Sequence, residues 1–167
     1  MAHAYLPSGE GETLWFAGQQ ITYKVRGREG GATIFELTVG PHGGAPAHLH
    51  RTQDETHYIM GGCFRFHCAG DTFLAERGAV VHVPKGVPHG FTNVSSATGT
   101  ILCVETHPGP LEAFFDDLGE TTVGTPSLPP RPMTMQMLLS AARRTGGLEL
   151  LVPGLDTSNH VRSSDAV

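Results

Sequence analysis

The sequence predicts an all-β fold followed by short C-terminal helices, and two observations lead to this class. From Leu14 to about Thr106, short runs rich in Val, Ile, Phe, Thr and Tyr alternate with Gly, Pro and Asn, as in strands joined by tight turns. The spacing of these runs fits an antiparallel sandwich or barrel rather than βαβ units. After Pro110 the pattern changes to that of helices and proline-rich connections.

Six segments rich in β-forming residues are predicted to be strands. In chain order they are ITYKVRG, ATIFELTVG, THYIMGG, CFRFHCAG, AVVHVPKG and TILCVETH. Two further strands are indicated by histidines. His48 and His50 would project from one face of a strand with Leu49 on the other, because successive side chains alternate. His89 would begin a strand after the turn that Gly86 permits.

Two amphipathic helices are predicted after the strands. The segment PLEAFFDDLGE has Pro110 in its first turn and Gly119 beyond its end. The segment MTMQMLLSAARRTGG ends at Gly146 and Gly147. Each helix has an apolar face at helical spacing, formed by Leu111, Phe114, Phe115 and Leu118 in the first and by Met135, Leu138, Leu139 and Ala142 in the second.

These elements divide the chain into four parts. Residues 1–13 form an N-terminal arm, 14–118 the barrel, 119–153 a Pro-rich connector with the C-terminal helix, and 154–167 a polar tail. The length of 167 residues is sufficient for one domain with a substantial core.

Composition and charge exclude several classes of function. The chain is 39% hydrophobic and 16% charged with a net charge of −5, which argues against a surface for nucleic acid or anionic membranes. No apolar run approaches the roughly 20 residues that span a bilayer, and the first residues do not form a secretory signal. Cys63, Cys68 and Cys103 have no CxxC spacing and are interpreted as free thiols in a reducing compartment. We therefore expect a cytoplasmic protein.

The histidines call for an explanation. The stretch HLHRTQDETHYIMGG contains His48, His50 and Glu55, and His89 follows in GAVVHVPKGVPHGFTN. Exposed edge-strand histidines and a solvated glutamate would account for these residues one by one. Three imidazoles and one carboxylate on strand positions around turns can also converge if the strands form a barrel. Such a set suits Fe, Mn, Co, Ni, Cu or Zn, whereas Ca and Mg prefer oxygen ligands.

The two stretches resemble the paired signature of the cupin family. The first fits H-x-H-(four residues)-E-(six residues)-G, and the second fits G-(five residues)-P-x-G-x-x-H-x-x-x-N without gaps. The matching residues are His48, His50, Glu55 and Gly62 in the first and Gly78, Pro84, Gly86, His89 and Asn93 in the second. His42 occupies the position of the family's leading glycine, which we interpret as a loop shift that leaves the ligands untouched.

This resemblance covers roughly residues 14–115 and implies a double-stranded β-helix, or jelly-roll barrel, with one metal ion inside. It implies that His48, His50, Glu55 and His89 ligate one divalent transition-metal ion, which is Fe, Ni, Mn, Co, Cu or Zn. Four protein ligands would leave two positions of a six-coordinate ion for water, substrate or dioxygen. The segment ETHPGPLEAFFDDLG further resembles a monocupin subgroup that is quercetin-dioxygenase-like.

Other residues near the motifs have two readings each. Glu55 is a candidate catalytic base as well as a ligand, because a carboxylate can share its second oxygen with a substrate proton. His57 points inward two positions later, either as a catalytic or substrate-contacting residue or as a hydrogen-bonded core histidine. Four apolar residues are expected to line the barrel, as core or as walls of a substrate pocket: Ile59, Phe64, Phe66 and Phe91.

Three classes of function follow from the resemblance. The leading hypothesis is a mononuclear metal oxidoreductase, a quercetinase-like dioxygenase acting on a small phenolic or enol substrate. The second is a metal-dependent cyclase or isomerase of a polyketide-like substrate, with Zn or another Lewis acid. The third is a non-catalytic module that binds a small molecule. By analogy we also expect a homodimer formed through LWFAGQQITYKV, Leu14–Val25, and no nucleic-acid or membrane partner.

Overall fold

The computed structural model describes residues 5–27, 31–107, 109–121, 133–146 and 148–152. These residues form twelve strands and two helices. The strands are β1 Glu12–Phe16, β2 Gln19–Val25, β3 Thr33–Val39, β4 Gly44–His50, β5 Glu55–Gly61, β6 Cys63–Cys68, β7 Asp71–Glu76, β8 Val80–Val83, β9 His89–Asn93, β10 Gly99–Glu105, β11 Glu120–Thr121 and β12 Leu148–Leu150. The helices are α1 Pro110–Leu118 and α2 Met135–Thr145.

The strands are arranged in two antiparallel sheets that share one hydrophobic core. The larger sheet has the order β11-β1-β2-β3-β10-β5-β8, and the smaller has the order β12-β4-β9-β6-β7. Neighbouring strands come from distant parts of the chain, as in a jelly roll, where the chain crosses repeatedly between two sheets. The predicted all-β jelly roll, or double-stranded β-helix, with short helices is confirmed.

The core follows the alternation of the strands. In β3 every second residue is buried, including Phe35 and Leu37, and β10 pairs with β3 so that Cys103 lies opposite Phe35. The inward face of β10 also contains Ile101 and continues to Glu105 at the end of the strand. The same alternation that builds the core therefore brings a carboxylate into it.

A tight turn precedes β4 and sets the position of its histidines. His42 has a φ of 62°, in the left-handed region, so this turn keeps a left-handed residue where the family that the sequence resembles has glycine. A Cβ atom on Gly44 would lie 2.0 Å from the carbonyl oxygen of Phe91, so β4 approaches β9 closely only because residue 44 is glycine. Asn93 closes the turn by donating from Nδ2 to the carbonyl oxygen of Val39 at 2.9 Å.

Helix α1 covers the core next to β1 and β3. Phe115 packs edge-on against Phe16 and Phe35, with ring centroids 5.1 and 5.7 Å away. Glu112 is buried on the same helix, and its Oε1 accepts from the backbone N–H of Gly27 at 2.8 Å and from Thr33 Oγ1 at 2.6 Å. Aromatic packing and buried hydrogen bonds together fix α1 to the sheet.

The C-terminal elements return to the smaller sheet. The side chain of Thr134 accepts from the backbone N–H of Met137 to begin α2, and Gly146, with a φ of 72°, ends the helix. Strand β12, which the sequence pattern did not predict, pairs with β4. The predicted polar tail, 154–167, and most of the Pro-rich connector lie outside the described residues. Neither described helix has the length and apolar character needed to cross a membrane.

Candidate metal centre

Four residues of the two sequence motifs converge in the structure. His48 and His50 lie at the end of β4, and β4 pairs with β9 so that His48 is opposite His89. Glu55 begins β5 in the other sheet. All four side chains are buried. The cluster therefore joins the two sheets in the interior of the jelly roll.

The distances within the cluster are those of groups around a common centre. Glu55 Oε2 lies 2.9 Å from His89 Nε2 and 3.2 Å from His50 Nε2. One donor atom from each of His48, His50, Glu55 and His89 lies within 4.8 Å of the donor atoms of the others. Ligands roughly 2.1 Å from an ion lie at most about 4.2 Å from each other, so small side-chain shifts bring all four atoms to one ion.

Backbone carbonyls fix the orientation of two of the imidazoles. His48 Nδ1 lies 2.7 Å from the carbonyl oxygen of Pro46, and His89 Nδ1 lies 3.0 Å from that of Val87. Because a carbonyl oxygen only accepts, each Nδ1 must be the protonated nitrogen that donates. Nε2 of His48 thus keeps its lone pair for the centre, whereas Nε2 of His89 donates to Glu55 Oε2 and would give up that proton to ligate an ion, as in metal-ligating histidines held by a second hydrogen bond.

The protonation preferences of the cluster also suit a cation. Burial, together with the nearby rings of His89 and His50, lowers the pKa of His48 to about 3 and keeps this imidazole neutral. Burial opposes ionisation of Glu55, but the neighbouring histidines outweigh it and hold the pKa of Glu55 well below its usual range. Burial likewise opposes protonation of His89, yet its contact with Glu55 raises the pKa of His89. The carboxylate is ionised and attracts positive charge.

The residues present fit a divalent transition-metal ion. Both ring nitrogens of His50 are buried without a hydrogen-bond partner among the described residues, which is costly unless something binds them. Three imidazoles and one carboxylate are the ligand set preferred by first-row transition ions. The buried cluster can therefore hold a metal ion, and the donor set suits any of those ions.

His57 lies behind the cluster, next to Glu55. It is fully buried, its Nε2 lies 3.4 Å from Glu55 Oε2, and its Nδ1 lies 3.3 Å from Cys103 Sγ. The ring packs between those of Phe66 and Phe91, with centroids 5.3 and 5.6 Å away. Burial, followed by the carboxylates nearby, raises the pKa of the Cys103 thiol well above its usual value, so it remains a neutral neighbour. His57 thus reaches the cluster through Glu55.

Glu105 is a residue of the centre that sequence reasoning missed. Its Oε1 lies 3.8 Å from His50 Nε2, and its Oε2 accepts from Gln53 Nε2 at 2.8 Å. The side chain is buried, and Oε1 has no hydrogen-bond partner among the described residues. The signal was present in TILCVETH, because alternation from Ile101 through Cys103 points Glu105 inward.

A cavity opens directly beside the cluster. It encloses about 630 Å³ of free space, part of it open to solvent, and His48, His50 and Glu55 lie in its wall. The remaining wall is almost entirely apolar, with aromatic rings from β1, β3, β9 and α1 and leucines from α2 and β12. The cluster therefore borders a largely apolar space that is partly open to solvent.

One of the four predicted pocket residues lines the cavity, and the other three do not. Phe91 lies in the cavity wall. Ile59, Phe64 and Phe66 are fully buried and lie outside this wall, packed in the core. Phe66 stands 5.4 Å from Phe91, measured between ring centroids, and so supports the wall from behind. Of these four residues, Phe91 is therefore the one in position to contact a bound molecule.

Comparisons with known proteins agree with this fold. Residues 35–105 match the cupin domain family. The chain is similar to the Cnp3 cupin domain of Schizosaccharomyces pombe, with 15% identity, a TM-score of 0.54, and coverage of 71% of this chain and 82% of that one. It is also similar to a predicted oxalate decarboxylase of Thermotoga maritima, with 16% identity, a TM-score of 0.56, and coverage of 62% and 98%. An RmlC-like cupin of Shewanella frigidimarina has 15% identity, a TM-score of 0.56, and coverage of 63% and 91%.

At these identities the structural likeness shows the fold alone. A comparison with curated protein sequences gives no match. The domain match over residues 35–105, the jelly roll and the histidine–glutamate cluster together support a similarity to the cupin superfamily. Cupins include enzymes of several kinds as well as non-catalytic members, so the reaction has to be argued from the site.

Proposed function

We propose that this protein is a metal-dependent enzyme of the dioxygenase type that acts on a small phenolic or enol substrate. One observation carries the proposal: the buried cluster of three histidines and one glutamate adjoins an apolar cavity, and His48, His50 and Glu55 lie in the cavity wall. A phenol or enol combines an acidic oxygen, which a cation binds, with an apolar body, which the cavity can enclose.

The ion would be held by His48, His50, Glu55 and His89. A bound divalent ion supplies positive charge that lowers the pKa of a substrate hydroxyl and orients the substrate and dioxygen. A dioxygenase places both oxygen atoms in its products, so the reaction needs no external reductant. The protein's own contribution is to place the acidic oxygen, accept its proton and keep water away.

Glu55 is the proposed proton acceptor. Its carboxylate lies in the cavity wall and is ionised, so it is in place to accept the proton of a substrate hydroxyl. His57 Nε2, which has no hydrogen-bond partner among the described residues, lies 3.4 Å from Glu55 Oε2. We assign His57 the role of stabilising Glu55 and of receiving the proton from it when the carboxylate engages the ion.

The apolar wall would protect the deprotonated substrate. An enolate or phenolate is quenched quickly when water supplies a proton, and a dry cavity also strengthens electrostatic interactions within it. Phe91 and Phe115 offer aromatic faces and edges to a planar substrate. The cavity thus provides the water-poor setting that reaction with dioxygen requires.

The buried Glu55–His57 pair favours a second candidate, in which proton transfer is the whole reaction. Glu55 in the cavity wall can take a proton from one position of a substrate and return it to another, with His57 3.4 Å behind it to share that proton, as isomerisation or cyclisation of a polyketide-like molecule requires. Such an enzyme would work with Zn and without oxygen.

The test begins with metal content. Purified wild type, His50→Ala and Glu55→Gln are compared with His67→Ala, which removes an exposed histidine on β6. We expect about one divalent ion per chain in wild type and His67→Ala by elemental analysis, and strong loss in the other two variants. Equal metal content in all four proteins would show that the metal ion does not bind at the proposed centre.

The second part of the test measures catalytic activity. Protein reconstituted with Fe, Mn, Co, Ni, Cu or Zn is given 3-hydroxyflavone and related phenols, and oxygen uptake is followed. Uptake with a redox-active ion, lost in Glu55→Gln, supports the dioxygenase. Turnover with Zn under anaerobic conditions favours the proton-transfer enzyme instead, and unchanged ligand with every ion would indicate a binding protein.

A further inference from the structure

The wall of the cavity has few polar groups, and this limits the chemical class of substrate that can bind. Among the described residues, no lysine or arginine lines it, and outside the cluster Gln19 supplies the polar side chain. One N–H of that amide is already engaged, because Gln19 Nε2 donates to the carbonyl oxygen of Gly44 at 2.8 Å. A phosphate, a second carboxylate or a row of sugar hydroxyls would therefore lose water in this cavity without gaining partners.

Part of this wall comes from the C-terminal elements, which lie outside the segment that matches the cupin domain. Leu138 of α2 and Leu148 and Leu150 of β12 line the cavity. The helix and strand follow each other in the chain and pack against α1 and β4. We refer to these three leucines as the leucine cap.

The register of β12 brings the leucine cap next to the metal cluster. In the antiparallel pair of β12 and β4, Leu148 lies opposite His50 and Leu150 lies opposite His48. Side chains of directly opposite residues lie on the same face of a sheet, with Cβ atoms about 5 Å apart. A molecule that binds an ion through its acidic oxygen must therefore place its adjacent carbon atoms against Leu148 and Leu150.

We infer that the leucine cap determines specificity and selects substrates with one acidic oxygen on an uncharged, apolar ring system. The inference rests on the proposed function for the binding of that oxygen to an ion. It adds the substrate class and the residues that select it. The opposite wall, which includes Phe16, Phe91 and Phe115, completes an apolar enclosure around the body.

Two probes with the same head group separate the contribution of the cavity from that of the ion. Maltol and 3-hydroxyflavone both present a 3-hydroxy-4-pyranone, but only the latter has a fused benzene ring and a phenyl group. Binding is measured by fluorescence and calorimetry on dialysed, Zn-loaded protein without oxygen, so that no turnover is needed. We expect wild type to bind 3-hydroxyflavone at least about 100-fold more tightly than maltol, because the additional rings bury apolar surface.

Neighbouring leucines of α2 provide a matched pair of variants. Leu138 lines the cavity, whereas Leu139 is equally half-buried and packs on the core without lining it. Leu138→Ala and Leu150→Ala should each weaken 3-hydroxyflavone binding about tenfold and leave maltol binding within about threefold. Leu139→Ala should leave the affinities for both probes unchanged. Leu150→Met should bind 3-hydroxyflavone almost as tightly as wild type does. Thermal melts confirm that each variant is folded.

The outcomes distinguish this inference from the proposed function. If wild type bound the two probes with similar affinity, the inference that the leucine cap selects the substrate would be wrong. It would also be wrong if Leu138→Ala and Leu139→Ala weakened 3-hydroxyflavone binding equally. If neither probe needs Zn for binding, the metal-dependent function fails, while the ratio between the probes still reports on the apolar wall. Oxygen uptake is not measured in this experiment, so the absence of a dioxygenase reaction leaves its result intact.

Discussion

Single residues of the centre differ in the protonation state that their surroundings favour. Glu55, in contact with three histidines, has a lowered pKa. Glu105 lies opposite Glu55 in the pairing of β10 with β5, and burial, with added repulsion from Glu55 and Glu112, raises the pKa of Glu105 well above its usual range. In the metal-free protein one carboxyl is thus ionised and the other protonated, which is the arrangement that two nearby acids adopt in a low-dielectric interior.

A pH-dependent change in stability should follow from Glu105. A native pKa above the unfolded value means that the folded state holds a proton that the unfolded state has lost. The contribution of Glu105 to the stability of metal-free wild type should therefore fall as pH rises from the unfolded pKa of about 4.3 toward the native value. Glu105→Gln, which mimics the protonated acid, should lack this loss. Its advantage in urea midpoint over wild type should grow with pH across this window.

The control for this prediction is Glu120→Gln, which changes an exposed carboxylate on β11. Its difference from wild type should stay small and independent of pH, since exposed substitutions usually change stability by about 0.5 kcal/mol or less. If the advantage of Glu105→Gln instead shrank as pH rose, Glu105 would be ionised in the native protein. The assigned direction of its pKa shift would then be wrong.

The sequence predicted residues of the centre to different degrees. The paired motifs identified His48, His50, Glu55 and His89, because ligands at fixed spacings leave a pattern in one chain. Glu105 escaped notice because a lone glutamate at a strand end usually faces solvent; alternation along β10 points it inward, and its distance to His50 shows that it belongs to the centre. The pocket residues were the hardest to predict, since strand alternation gives the inward face but not the part of the interior left open.

Secondary-structure elements were predicted best where the pattern was long. Helix α1 occupies Pro110–Leu118, as the proline, the glycine and the apolar spacing indicated, and α2 likewise ends before Gly146. Strand β12 has three residues, Leu148–Leu150, and no periodicity can be read from so short a run. Its pairing with β4 is a long-range contact that depends on where α2 ends.

Docking of α1 should depend on Glu112. Its Oε1 accepts two hydrogen bonds from the sheet side, and removal of the carboxylate leaves the N–H of Gly27 and the hydroxyl of Thr33 without that acceptor. Glu112→Ala should lower the free energy of unfolding by about 2–3 kcal/mol, measured by urea denaturation. Amide hydrogen exchange should also accelerate along α1, where Phe114 and Phe115 form part of the cavity wall.

Glu120→Ala, just beyond α1, is the matched control for charge removal near this helix. It should leave both the urea midpoint and the exchange of α1 unchanged. An effect of Glu112→Ala no larger than that of Glu120→Ala would mean that the hydrogen bonds of Glu112 do not hold α1 in place. The predicted link between Glu112 and the cavity would then not hold.

At the scale of the whole molecule, we predict a homodimer that forms through Leu14–Val25. Leu14 and Ile21 are buried in the core of their own chain, while alternation puts Trp15 on the outer face of β1, where it is half-buried. Light scattering should give twice the 17.8 kDa of one chain. Trp15→Glu should reduce the mass to that of one chain, because a charge opposes burial in an interface.

Val80→Glu is the comparison for the dimer, because Val80 is an exposed apolar residue on β8, at the far edge of the larger sheet. It should leave the dimer intact. A monomeric wild type at micromolar concentration would disprove the prediction. Dissociation by Val80→Glu and not by Trp15→Glu would move the interface to the β8 edge.

Metal binding should stabilise the entire fold, because the ligands come from both sheets. Three histidines on β4 and β9 meet Glu55 on β5, so one ion would connect the two layers at their centre. Binding to the folded state alone adds about 2.7 kcal/mol at a free ion concentration of 100 Kd. For a chain of this size that corresponds to a rise in Tm of roughly 5–10 °C, measured by calorimetry with and without chelator. The rise should persist in His67→Ala and vanish in His50→Ala, whereas an equal rise in both would mean that the ion binds elsewhere.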